Sequence, residues 1–152
     1  MILRYRDGVV PQVDVDPAIA ADFDGLAERV SELVGRAELT PALEEIWQRV
    51  RRLNRYVDEQ APWKLAKDDE RAADLDRALA TLAEGLRVLT VLLHAWIPER
   101  AGILLAALGA GAGLADDAPA LAIGGARLGA AVPARVSDLD PLFPKQQPPK
   151  AA

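Results

Sequence analysis

Between residues 75 and 96 a large apolar side chain returns every three or four positions: Leu75, Leu79, Leu82, Leu86, Leu89, Leu93 and Trp96. That spacing keeps one face of an α-helix apolar and fits no strand. Val88, Val91 and Leu92 add apolar side chains on other faces of the second half, which predicts a helix from about residue 68 to 96, buried on several sides at the centre of a bundle. Asp68 or Asp69 can cap its start. The apolar half of the chain is mostly Ala, Leu and Val with 5% aromatic residues, material for packed helices rather than a sandwich. At 152 residues it is long enough for one domain with a real core, and the expected fold class is all-α.

Other segments carry the same period. Residues 1–6 read as the last turns of a helix, with basic residues near its C-terminal end and Asp7-Gly8 to stop it. Residues 9–15, broken by Pro11, read as an extended connection. Asp16 followed by Pro17 pairs an N-cap acceptor with proline at the first helical position, and Ile19, Phe23, Leu26, Val30, Leu33 and Val34 predict one helix continuing to Gly35. Thr40-Pro41, with Glu44 near a capping-box position, opens the next. Leu43, Ile46, Trp47, Val50, Leu53 and Val57 predict its buried face, with Trp47 in the core, Asn54 among the apolar residues and Tyr56 on the outer side. Pro98 and Gly109 bracket a last short helix.

Pro62 must end or kink the helix that reaches Gln60, so Trp63 follows on a rigid corner. Such a ring can anchor a core or serve as a stacking platform. Arg49, Arg51, Arg52 and Arg55 precede it, and Lys64 and Lys67 follow, a cationic zone in a chain of net charge −5. Arg49, Arg52 and Tyr56 share one strip of the helix, and Arg51 and Arg55 another, within reach of phosphates. The same strips suit a solvated face paired with Glu44, Glu45 and Glu59.

Residues 1–109 thus read as a helical bundle and 110–152 as a Gly/Ala/Pro-rich extended tail. Segments around 121–123 and 128–132, separated by Gly124-Gly125, could pair as a small hairpin or lie as extended strands pinned to the bundle. Leu142 and Phe143 between two prolines give residues 140–145 the character of a docking segment, and the last residues, from Gln146, should be disordered. The acidic balance argues against sequence-blind attachment to DNA or an anionic membrane. One histidine, no cysteine and no Gly-rich phosphate loop leave no catalytic constellation and no metal site, so the chain alone is not expected to be an enzyme. Cytosol is the expected compartment.

The run from Leu53 to Asp68, LNRYVDEQAPWKLAKD, resembles the signature of the anticodon-binding helical bundle of bacterial methionyl-tRNA synthetases. The leucyl, isoleucyl and valyl enzymes share a looser form of its Asn, Pro and Trp pattern. Arg4-Tyr-Arg-Asp-Gly-Val-Val-Pro resembles the end of the family's first bundle helix, and Pro141-Leu-Phe-Pro-Lys its closing segment; both favour methionine. The resemblance implies that Trp63 stacks on an anticodon base of the methionine tRNA and that Pro62 shapes the turn; the charge and placement of Arg49, Arg52, Arg55 and Lys64 beside them make these four candidates to hold phosphates. The family's other main anticodon contacts, its ATP-binding signatures and its zinc-binding insertion lie upstream of the point matching Met1. No cofactor is therefore expected in these residues, while ATP and zinc would belong to the catalytic half, the implied partner. The alternative is a free-standing helical RNA-binding or protein-interaction module without synthetase activity.

Overall fold

The computed structural model describes residues 1–110, 123–130 and 133–144. Seven α-helices carry the fold among them: α1 (Ile2–Arg6), α2 (Pro17–Phe23), α3 (Leu26–Gly35), α4 (Leu39–Gln60), α5 (Pro62–Leu65), α6 (Ala72–Leu93) and α7 (Pro98–Ala107). The expected central helix is α6. It packs against α4, α5 and α7, and the core they share with α3 includes Leu33, Ile46, Leu53, Leu79, Leu89 and Leu105. Asp68 accepts from the Glu70 N–H in the 3-10 turn Asp69–Arg71 that leads into α6. No helix among the described residues is long and apolar enough to cross a membrane.

The proline openings behave as expected at α2, where the Asp16 carboxylate accepts from the Ala18 N–H, and at α7, which Pro98 starts. Three expectations are corrected. The single helix over 17–35 is two, because Asp24 leaves helical geometry and Gly25 adopts φ +67°, where an L side chain would be strained; the apolar period runs through this corner uninterrupted. The capping box at Thr40 does not form: α4 starts at Leu39 after Glu38, with no side-chain cap, and Pro41 sits within the first turn, whose N–H groups have no helical acceptor. The buried face of α4 is rotated from the expected one. Trp47 is 46% exposed and Asn54 is exposed, whereas Tyr56 is 2% exposed. At 100° per residue Trp47 lies about 120° from Leu53, outside the arc that α3 and α6 cover, while Tyr56 lies about 60° away on the other flank.

The Tyr56 hydroxyl lies 3.3 Å from Asp16 Oδ2. Burial pushes its pKa up from 10 to about 12. The folded phenol keeps its proton where the unfolded one loses it, so this stabilisation is complete below pH 10 and fades as pH rises towards 12. Urea melts should therefore show about 2 kcal/mol of stability lost across that window, a loss absent in Tyr56→Phe.

Beyond α7 the chain makes no hairpin among the described residues. Ile123–Ala126 form a 3-10 turn that takes in the expected separator Gly124-Gly125 and the end of the first segment, Ile123, and among the described residues a β-bridge joins Val9 to Arg135. Residues 121–122 and 131–132, part of the expected hairpin, and the tail from residue 145 lie outside the described residues. In the expected docking segment Leu142 is half-buried and Phe143 is 69% exposed.

Candidate nucleic-acid interface

The corner after α4 is built by three residues. Ala61 ends the helix in the left-handed region, φ 43° and ψ 62°, with its N–H still donating to Val57 O. Pro62 then sits at the first position of the one-turn α5, where its missing N–H has no helical partner to lose. Pro62 and Leu65 point into the protein and are buried; Trp63 and Lys64 between them face out. The short helix thus fixes the indole by burying its neighbours. With 43% of Trp63 exposed, the indole offers open surface to a flat partner.

The six cations around this corner fall into two groups. Arg49 donates to Glu45 Oε2 at 2.6 Å and to Asp22 O at 3.0 Å. Arg52 donates to Asp22 Oδ2 at 2.8 Å and to Glu59 Oε2 at 3.1 Å, with its guanidinium 5.9 Å from the Tyr56 ring centre. Burial opposes the Arg52 charge, but Asp22 and Glu59 outweigh it and raise the pKa above the usual value. These two arginines lie on the α2 side of α4 and are engaged within the protein, as the solvated-face reading anticipates for Glu45 and Glu59; the Asp22 contacts come from α2, 27 and 30 residues away in sequence, and no local spacing announces them. Arg51, Arg55, Lys64 and Lys67 are exposed and make no ion pair among the described residues. They and Trp63 therefore form the part of the corner whose charge is available to an outside anion. No group of three or more metal-ligating side chains is found among the described residues, and His94, half-buried after α6, stands apart from this corner.

No family model matches the chain. It is 42% identical over 115 residues to the methionine–tRNA ligase of Deinococcus radiodurans, a match covering 73% of this chain and 17% of the relative. With the methionine–tRNA ligase of Enterococcus faecalis it shares 34% identity over 114 residues, 72% of this chain and 17% of the relative. The chain thus spans less than a fifth of the length of these curated relatives. The apo crystal structure of Mycobacterium tuberculosis methionyl-tRNA synthetase superposes with a TM-score of 0.79 and 31% identity, covering 98% of this chain and 30% of that one.

Proposed function

The chain belongs with the C-terminal part of the methionyl-tRNA synthetases, and from that premise we propose that its bundle reads the anticodon loop of a methionine tRNA. The observation that carries this reading is the half-exposed Trp63 ring, held on a corner whose buried neighbours leave it little freedom. A loop base stacked on it would contribute about 1–3 kcal/mol. Arg55 and Lys64 would hold the loop's phosphates, with Arg51 and Lys67 beside them. Arg49 and Arg52 would contribute less, because a phosphate must first displace Asp22, Glu45 or Glu59.

The whole enzyme would attach methionine to that tRNA using ATP, with ATP and zinc held by a catalytic half joined to this bundle, in the cytoplasm. That half would also explain the apolar flank beside α1, where Met1, Leu3 and Leu86 are 49%, 45% and 39% exposed. The upstream turns of the family's first bundle helix would lie there.

The test is binding of a labelled CAU anticodon stem-loop, measured by anisotropy across a salt series. Arg55→Gln/Lys64→Gln should lower the slope of log K against log salt by about 1.4, two phosphates at about 0.7 each, without changing the loop preferred. Arg52→Gln should change it by less than half as much. A slope unmoved by Arg55→Gln/Lys64→Gln would take both residues out of the interface.

A further inference from the structure

The described residues after α7 cross the bundle as a strap, and two charged residues of α6 hold its first part. Glu84 and Arg87, each side chain 1% exposed, pair twice: Arg87 Nε to Glu84 Oε2 at 2.8 Å and Nη2 to Oε1 at 2.7 Å. Their remaining contacts go to the strap's main chain. Arg87 Nη1 donates to Gly125 O at 2.6 Å and Nη2 to Arg127 O at 2.7 Å, and the Gly129 N–H donates to Glu84 Oε1 at 2.6 Å. Ala126, between these anchors, is buried in the core.

The second part of the strap meets the connection that follows α1. Val10 N donates to Ala134 O at 3.0 Å and Val136 N to Gly8 O at 2.8 Å, while Ser137 N ties the strap to Ala107 O of α7 at 2.8 Å. The backbones approach so closely that a Cβ on Gly8 would lie 2.9 Å from Val136 O, and one on Gly109 would overlap the Arg135 carbonyl. Helix α1 itself has five residues and buries none of them. A helix that short does not stand alone. Its own ties are the partly buried Ile2 and Tyr5 against the core and Arg6, which donates to Asp76 Oδ1 at 2.6 Å and to Ala72 O at 3.5 Å.

We infer that Glu84 and Arg87 are positioning residues for α1: they hold the strap, the strap holds residues 8–10, and those residues seat α1 against α6. A buried ion pair adds little net stability over an apolar pair of similar size, so its distinctive contribution here is the fork of donors and acceptors that places an irregular segment.

Hydrogen exchange on the full chain tests this. In Glu84→Met/Arg87→Met, the Gly129, Val10 and Val136 amides and those of α1 should exchange at least tenfold faster, with Leu33 and Ile46 unchanged. Val9 and Arg135 face each other between the two flanking hydrogen bonds, a pairing in which side chains lie close, and the chain has no cysteine to interfere. Val9→Cys/Arg135→Cys, oxidised in the Met background, should restore protection to Val10 and α1 but not to Gly129. Arg87→Lys, which keeps a charge but loses the fork, should give the same local pattern more weakly if the Met variant fails to fold. Val10 and α1 remaining protected when Gly129 opens would overturn the inference, as would loss of α3 and α4 protection together with the strap, or a disulfide that leaves α1 exchanging fast.

Discussion

Arg87→Ala should lower the stability of the chain by about 3–5 kcal/mol, the cost of leaving a buried charge without its partner. Glu84 is 1% exposed and receives two of its three hydrogen bonds from Arg87. The substitution strands that carboxylate and also orphans the carbonyls of Gly125 and Arg127. For a domain whose total stability is about 5–15 kcal/mol, this is a large fraction. Glu84→Met/Arg87→Met should cost less than Arg87→Ala, because no charge remains buried. Urea denaturation of both variants reads the difference; a single substitution no worse than the double one would mean that the pair is not buried in solution.

Trp63→Ala should weaken binding of the CAU stem-loop by about 5- to 150-fold, the equivalent of the 1–3 kcal/mol that a stacked base contributes. The fold should survive, because the ring is 43% exposed while Pro62 and Leu65 hold the corner from inside. Trp47→Ala is the matched control. That ring is 46% exposed on α4 two turns before Arg55, about 12 Å along the helix axis, and its removal should leave RNA affinity within about twofold. Anisotropy titrations of the three proteins at one salt concentration decide between a specific stack and a general loss of aromatic surface.

The features legible in the sequence are those written locally. The leucine seam of α6, Asp16-Pro17, the stop at Pro62 and the bracket from Pro98 to Gly109 each rest on residues within a few turns of one another, and the structure places helices or their ends there. The break at Gly25 was not legible, because Phe23, Leu26 and Val30 keep the helical period through it and only a backbone angle marks the corner. Trp47 and Tyr56 exchanged places for a related reason: the apolar arc of α4 is wider than the arc its neighbours cover, and the Asp16 contact that draws Tyr56 inward spans 40 residues.

The Glu84–Arg87 pair left a signal in the sequence, two charges in a helix whose apolar residues occupy several faces, but their partners lie 38 to 45 residues further on. At the candidate site the corner and its ring were readable, whereas the division of the cations was not. Asp22 reaches Arg49 and Arg52 from another helix, and only the packed structure separates engaged from available charge.

The most direct test of the anticodon reading uses the protein's own fluorescence. In Trp47→Phe/Trp96→Phe, Trp63 is the only remaining indole of the three in the chain. Titration with a CAU stem-loop should quench that emission at concentrations at least tenfold lower than a stem-loop of equal length with a changed anticodon, at low and at moderate salt. Equal quenching by both loops, fading together as salt rises, would contradict anticodon recognition and leave only a surface that holds phosphates.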